Sequence, residues 1–124
     1  MTNLRVNSQA NCFVLPNNSW NSFEGVAEST TLQPGTYVLR IKEGTFRFWG
    51  SGDRKEPFVI IWLHGGLFAN LATEVDTSAS FASLNGYEDT ITIQVKRATR
   101  LYALFIDSNR GDNRGEVVLS ILNA

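Results

Sequence analysis

The segment that decides the fold class is residues 91–122, which reads ITIQVKRATRLYALFIDSNRGDNRGEVVLSIL. Across 91–95, isoleucine and valine alternate with threonine and glutamine, and this period of two predicts a half-buried strand. Residues 101–106 are a fully apolar run, which predicts a second strand. Residues 116–122 close the segment with Val117, Leu119 and Ile121 on one face. Strands at this spacing predict an all-β domain.

The chain before this segment follows the same pattern. Gln33-Pro34-Gly35 predicts a turn, because proline presets one backbone dihedral and glycine accepts the left-handed one. Strands are expected at 37–41, at 45–49 after a break at Glu43-Gly44, and at 58–63. Residues 58–63 are a continuous apolar run, which suits a strand covered on both faces, and Gly65-Gly66 ends the run. Helix signals are nearly absent, and the one plausible helix covers residues 67–74. We therefore predict one domain over residues 1–124, an antiparallel β-sandwich of the jelly-roll or galactose-binding-domain-like type.

Composition excludes several classes of function. Hydrophobic residues make up 43% of the chain and charged residues 19%, which indicates a globular protein. The formal net charge is −1, and a protein built on phosphate contacts carries a basic excess, so nucleic acid is not expected as the main partner. No apolar stretch reaches the length of a membrane span, and no secretion signal is recognisable, so we expect a protein that is cytoplasmic or exported without such a signal.

Residues typical of catalysis are few. His64 is the one histidine, and its place after an apolar run predicts a structural residue at a strand end. Cys12 is the one cysteine, which precludes an intrachain disulfide and predicts a small buried side chain. Asp53 and Glu56 lie on one short turn, where a glycosidase-like pair is less expected than solvated charges. We therefore predict that the chain is not an enzyme.

The loop at 107–115 collects oxygen donors between two strands. Asp107, Asp112 and Asn113 are its donor side chains, with Asn109 as a further candidate. A hard cation such as Ca²⁺ binds six to eight oxygens from carboxylates, amides and backbone carbonyls, so such a loop can supply part of a coordination shell. The alternative is a long hairpin loop in which Asp, Asn and Gly only favour turn conformations. Both interpretations use the same residue types.

Two separated segments resemble the bacterial PA-I galactophilic lectin family. One is WGSGDRKEP at 49–57, and the other is the loop and closing strand at 107–121; the turn at 33–35 matches a turn of the family in the same order. The family consists of small calcium-dependent galactose-binding β-sandwiches. The resemblance implies that Asp107, Asp112 and Asn113 bind calcium, with the Leu32 carbonyl as a backbone ligand.

The residues that hold galactose in this family are not retained. Glu56 stands where the family has a histidine, and Val59 falls near its glutamine, so the resemblance does not imply galactose as the ligand. The candidate ligand-binding residues are Trp49, Asp53, Glu56 and Asn109. An aromatic face commonly covers the apolar side of a sugar, and Trp49, beside a glycine-rich turn, is the expected one. Other aromatic side chains that could supply this face are Trp20, Trp62, Phe68 and Tyr87.

Two hypotheses about function follow. The first is a calcium-dependent carbohydrate-binding, lectin-like module that holds the ion in the loop 107–113 and binds a carbohydrate or glycoconjugate. Weak single sites gain from multivalency, so this hypothesis includes a homo-oligomer, a dimer or a tetramer. The second is a metal-free structural or protein-interaction β-sandwich subunit without a sugar ligand, whose exposed aromatic strands pair with copies or partners.

Overall fold

The computed structural model describes residues 2–15, 23–47, 55–107, 111 and 113–124. About three quarters of these residues are in strands (76%), and the all-β prediction is confirmed. The strands are β1 (Thr2–Asn7), β2 (Cys12–Val14), β3 (Glu28–Leu32), β4 (Gly35–Arg47), β5 (Phe58–Asn70), β6 (Val75–Asn85), β7 (Thr90–Arg97), β8 (Thr99–Asp107) and β9 (Arg114–Asn123). A short helix, α1 (Phe23–Val26), precedes β3. No helix in the described part of the chain is long and apolar enough to span a membrane.

The strands form one curled, mixed sheet in the order β1-β9-β4-β7-β5-β8-β2. Two strands lie off this path, since β3 pairs with β8 and β6 pairs with β5. The pairing is antiparallel except between β2 and β8, which run parallel. The curl brings β1 against β3 and β8, which belong to the far part of the sheet. The finer arrangement, a sandwich of the jelly-roll type, stays a prediction.

Strand β5 joins the two parts of the curled sheet. Its first half pairs with β8 over Ile60–His64, and its second half pairs with β7 over Leu67–Asn70. A bulge separates the halves at Gly65 and Gly66, and Gly65 has a left-handed φ of 92° that favours glycine. The expectation that Gly65-Gly66 ends the strand is therefore wrong. The glycines bend the strand and do not terminate it.

The helix expected at residues 67–74 is also not formed. Residues 67–70 complete β5, and a turn at 71–74 leads into β6. Asn70 closes this turn, because its side-chain oxygen accepts from the Ala72 N–H at 2.9 Å and its carbonyl accepts from the Glu74 N–H at 2.8 Å. Glu74 has a left-handed φ of 57°, which a helix does not permit. Local turn chemistry and pairing with β7 override the weak helical pattern.

The Glu43-Gly44 break expected in the sequence is a register shift inside one strand. β4 runs through it from Gly35 to Arg47 and stays paired with β9, with the irregularity between Ile41 and Glu43. The strand is thus longer than either predicted piece. At the far end of β4, Phe46 pairs with Gly115 and Arg47 with Arg114, the first two residues of β9.

Apolar side chains from most of the strands fill the inside of the curl. The expected face of β9 is confirmed, since Val117, Leu119 and Ile121 are each at most 2% exposed and belong to the main core cluster. The apolar run of β5 is covered on both faces, as expected. Val59, Ile61 and Leu63 enter the main core, whereas Ile60 and Trp62 pack on the outer face against a second cluster, Phe13 and Leu104. This second cluster lies under α1 and β2, where Val26 and Ala27 also contact it.

Candidate functional site

The predicted calcium loop begins at the end of β8 and ends at the start of β9. Asp107 is the last residue of β8, and its carbonyl accepts a hydrogen bond from the Leu15 N–H at 2.8 Å. β2 fixes this position because Val14 lies opposite Asp107 in the parallel pair. Asn113 immediately precedes β9 at the other end of the loop. The buried part of β8 is thus followed directly by Asp107, a partly buried carboxylate at the end of the strand.

Asn113 is fully buried, at 0% exposure. Its side-chain Nδ2 donates to the Ser8 carbonyl at 3.0 Å and to the Cys12 sulfur at 3.6 Å. Because a carbonyl can only accept, the bond to Ser8 fixes which end of the amide carries the nitrogen. The other end, Oδ1, has no hydrogen-bond partner among the described residues. A buried amide oxygen without a donor costs about 1–3 kcal/mol, so this atom is expected to have a partner that the described side chains do not supply.

The backbone carbonyls next to this amide already have donors. The Arg114 guanidinium donates to the Asn113 carbonyl at 2.7 Å and to the Gly111 carbonyl at 3.1 Å. The Gln9 side chain also donates to the Asn113 carbonyl, at 3.0 Å. These two carbonyls are therefore engaged by the protein. A cation at this loop would therefore be bound by side-chain oxygens. The positively charged Arg114 guanidinium lies against the Gly111 and Asn113 carbonyls next to that position.

Cys12 lies under the same loop. It is fully buried, as the sequence predicts, and its sulfur accepts from Asn113 Nδ2. Its own thiol is 3.9 Å from the Phe13 carbonyl. The thiol thus helps to orient the Asn113 amide, and its burial keeps it from solvent.

Leu32 lies far from the predicted metal loop, and its assignment as a backbone ligand is wrong. It ends β3, opposite Thr99, the first residue of β8, whereas Asp107 is the last residue of the same strand. Eight steps of roughly 3.3 Å separate the two ends of β8 by about 26 Å. The turn at Gln33 lies at this far end too, where the Tyr37 hydroxyl donates to the Gln33 carbonyl at 2.7 Å. One calcium ion cannot contact both ends of the strand.

Glu56 is brought to the same end of the sheet as the loop. It forms a two-bond antiparallel bridge with Phe46, with N···O distances of 2.7 and 2.9 Å. Phe46 lies opposite Gly115 on its other side, so Glu56 and Gly115 are two strand spacings apart, about 10 Å. The Glu56 side chain is exposed. Four other predicted site residues, Trp49, Asp53, Asn109 and Asp112, lie outside the described residues.

The aromatic candidates take different places. Phe68 is 1% exposed in the main core, so it cannot cover a sugar. Tyr87 is 42% exposed, and its hydroxyl donates to the Gly44 carbonyl at 2.7 Å. Trp20 lies outside the described residues. Trp62 is half-buried in the middle of a ladder of three rings that cross the outer face of β8, β5 and β6.

Among the described residues, the ladder consists of Tyr102, Trp62 and Phe81, and sequence reasoning did not find it as a unit. The ring centroids of Trp62 and Tyr102 are 5.1 Å apart, and those of Trp62 and Phe81 are 5.8 Å apart with an interplanar angle of 8°. Strand register brings these rings together, because Trp62 lies opposite both of the others. Arg100 lies over the Tyr102 ring, 5.5 Å from its centroid. No local signal marks this row, since its members come from three separated segments.

His64 flanks the ladder on β5. It is exposed in the middle of β5, opposite Arg100 and Ala79, so the expected place at a strand end is wrong. Its ring centroid is 5.0 Å from that of Trp62. Within the described ranges, no group of three or more His, Cys, Asp or Glu side chains could hold a metal ion. Any metal site must therefore use amide or carbonyl oxygens, or residues outside those ranges.

No protein-family model, no curated protein and no solved structure matches this chain.

Proposed function

We propose that this protein is a calcium-dependent carbohydrate-binding module, with the ion held in the loop 107–113. The observation that carries the proposal is the Asn113 Oδ1 atom, which is buried and without a hydrogen-bond donor among the described residues. A bound metal ion can take the place of the hydrogen-bond donor that this oxygen lacks, and amide oxygens are good calcium ligands. Asp107 at the start of the loop supplies a carboxylate, and the sequence adds Asp112 as a further candidate.

The donor set fits calcium only in part. Asp107 and Asn113 suit a hard cation, whereas Leu32 is excluded by its distance and the carbonyls of Gly111 and Asn113 already accept from Arg114. Calcium needs six to eight oxygens, so ligand hydroxyls and water would complete the shell. A sugar bound through two vicinal hydroxyls meets that need, and Glu56 lies at the same end of the sheet, where its exposed carboxylate can accept a hydrogen bond from a hydroxyl. The proposed class of ligand is one whose hydroxyl oxygens can fill the open part of the shell.

Calcium titration followed by thermal melting tests the metal site. Calcium chloride should raise the melting temperature of the wild type, because an ion that binds only the native state stabilises it by about 2.7 kcal/mol at a hundredfold excess over Kd. Asp107→Asn and Asn113→Ala should each lose most of this rise. Glu88→Gln, which removes an exposed carboxylate elsewhere, is the matched control and should keep it.

A glycan array with and without a chelator then tests the ligand. The proposal expects binding that disappears with chelator and with Asp107→Asn. If calcium leaves the wild-type melting temperature unchanged, the metal site is wrong. If calcium stabilises the protein but no glycan binds in its presence, the metal site stands and the carbohydrate ligand is wrong.

A metal-free interaction subunit is the second candidate function. The observation that favours it is Phe81, a large apolar side chain that stacks on Trp62 and is still 55% exposed. Exposed aromatic side chains are enriched where proteins contact each other. This candidate requires neither calcium nor a sugar, so the titration above separates the two.

A further inference from the structure

The end of the curled sheet opposite the loop 107–113 has a polar opening. Along the inner face of β9, the core residues Leu119 and Ile121 are followed by Asn123, because alternate residues of a strand point to the same side. On β1, the core residue Leu4 is preceded on its own face by Thr2. The inside of the curl thus changes from apolar to polar at this end. The cavity that lies here is called the mouth pocket.

The mouth pocket has a volume of about 210 Å³ and is lined by residues of β1, β3, β4 and β9 and by Gln33. The buried part of its lining consists of Leu32, Tyr37 and Ile121, which are each at most 8% exposed. The Tyr37 hydroxyl donates to the Gln33 carbonyl at 2.7 Å, so its oxygen can still accept a hydrogen bond. The pocket therefore has an apolar base with one hydroxyl oxygen.

The outer part of the pocket carries hydroxyl and amide groups. The side chains of Thr2, Thr30, Gln33 and Asn123 line it, and among the described residues none of the four forms a side-chain hydrogen bond within the chain. Thr30 is half-buried, and the other three are exposed. Threonine hydroxyls and side-chain amides can each donate and accept hydrogen bonds. Both kinds of group are thus available to a bound molecule.

The pocket lies where two strand edges meet without pairing. β1 pairs with β9, β3 pairs with β8, and β1 contacts β3. Within the described ranges, no backbone pairing joins β1 to β3. Side chains and not a hydrogen-bonded ladder therefore border this part of the opening. Small-molecule sites are concave, with a mainly apolar lining and a few polar groups that fix orientation, and the mouth pocket has both kinds of lining.

The lining also indicates which chemistry the pocket accepts. None of the described residues that line it is charged. The guanidinium of Arg100, which is not a lining residue, is bonded to Thr31 and Ser29 at 2.9 and 2.8 Å. A charged ligand would lose hydration here without gaining a lining counter-charge, and an apolar ligand would cover hydroxyls and amides without bonding them. A neutral ligand with several hydroxyls avoids both costs.

The volume limits the size of the ligand. Liquid water occupies about 30 Å³ per molecule, so the mouth pocket has room for roughly seven water molecules. Drug-sized ligands use pockets of about 300–1,000 Å³, which is larger. A ligand of a single ring fits this volume. The C–H side of such a ring can cover Leu32 and Ile121 while its hydroxyls bond the outer groups.

We propose that the mouth pocket is a binding site for a small, uncharged, polyhydroxylated molecule, a single sugar ring or a cyclic polyol. Thr30 and Asn123 bond its hydroxyls, and Ile121 and Leu32 contact its apolar side. The binding requires no metal ion, because the described lining holds no carboxylate.

This site does not rest on the proposed calcium site. Leu32 pairs with Thr99 at the start of β8, whereas Asp107 is the last residue of that strand, about 26 Å away. A ligand in the mouth pocket cannot contact an ion at the loop. The two proposals can therefore fail separately.

Amide NMR of isotope-labelled protein, titrated with D-glucose or myo-inositol in the presence of EDTA, tests the site. The amide signals of Thr2, residues 30–33 and Asn123 should shift and saturate, while those of Asp107 and Gly111 stay in place. Tighter binding of glucose identifies a sugar site, and tighter binding of inositol identifies a polyol site. D-Glucuronate, which has the same ring with a carboxylate, should bind more weakly than glucose.

Two substitutions remove hydrogen-bonding groups from the pocket and keep the side-chain shape. Thr30→Val and Asn123→Leu should each raise the Kd for the better of the two neutral ligands by about two- to tenfold, the effect of one lost hydrogen bond. Thr92→Val is the matched control. Thr92 is a half-buried threonine on β7 that does not line the pocket, so its Kd should equal that of the wild type. Thermal melts check that each variant is folded.

Several results would overturn the proposal. The first is a wild type whose pocket amides do not shift with either neutral ligand, and the second is a Kd unchanged in both folded variants, Thr30→Val and Asn123→Leu. Tighter binding of glucuronate than of glucose would refute the uncharged class. Shifts that need calcium and centre on Asp107 would refute the mouth pocket and support the proposed function. Binding at the pocket together with no effect of calcium on the melting temperature would refute the calcium site alone.

Discussion

Replacing Gly44 with alanine should destabilise the protein far more than the same change at Gly65. Both glycines have a left-handed φ, 96° at Gly44 and 92° at Gly65. A Cβ atom at Gly65 would meet nothing within 4 Å, whereas one at Gly44 would lie 2.0 Å from the Glu116 carbonyl oxygen and 2.8 Å from the Val117 Cα. The two sites therefore share the backbone conformation and differ in the space around it.

The magnitude follows from these two contributions. A left-handed backbone costs an alanine about 1–2 kcal/mol, and the reduced freedom of the unfolded chain returns about 0.4–1 kcal/mol. Gly65→Ala should therefore lose roughly 1 kcal/mol. At Gly44, strand β9 must also retreat by more than an ångström, and overpacking of this kind adds about 1–3 kcal/mol, with weakened β4–β9 hydrogen bonds at about 1 kcal/mol each. We expect Gly44→Ala to lose about 3 kcal/mol or more.

Urea unfolding followed by far-UV circular dichroism measures both variants against the wild type. The midpoints should differ while the m-values stay equal, which shows that stability has changed and not the extent of unfolding. If the two variants agree within about 0.5 kcal/mol, the close packing of β4 on β9 does not limit this position and the reasoning fails.

Three further substitutions test how the ends of the sheet are held. Phe105→Ala should lower the free energy of unfolding, measured in urea, by about 3–5 kcal/mol. Phe105 is fully buried and stacks on Phe46, with ring centroids 4.0 Å apart. A loss below about 1 kcal/mol would mean that the stack does not stabilise the end of the sheet next to the loop. Tyr37→Phe should cost about 1 kcal/mol through the lost hydrogen bond to the Gln33 carbonyl, whereas Tyr87→Phe, which removes an exposed hydroxyl bond, should cost less. Equal losses for the two tyrosines would contradict the importance of burial.

Strands with at least one buried face could be predicted from the sequence. The alternation in β7 and β9 and the apolar runs of β5 and β8 each reflect burial, and hydrophobic periodicity reports burial directly. Strand β6 was missed for the same reason. It is exposed on both faces, so its serines and alanines carry no period of two.

The candidate site was predictable only at its ends. The residue types at 107–113 indicate oxygen chemistry, and the structure places Asp107 and Asn113 at one end of the sheet with Glu56. Leu32 was wrongly predicted to contact the loop, because resemblance to a family motif does not determine at which end of the sheet a residue lies. Leu32 pairs with Thr99, at the opposite end of β8 from Asp107. The missing partner of Asn113 Oδ1 could not be foreseen, since it depends on the bond between Asn113 Nδ2 and the Ser8 carbonyl, 105 positions away in the chain.

The sequence by itself determined that the chain is all-β, because β-branched and aromatic residues at a period of two stabilise pleated strands wherever they occur. Tertiary structure decided how those strands continue and meet. Pairing carries β5 through Gly65-Gly66 and β4 through Gly44, since hydrogen bonds to neighbouring strands outweigh a local glycine break. Strand register also aligns Tyr102, Trp62 and Phe81. These features depend on contacts between distant segments, and a local pattern carries no information about them.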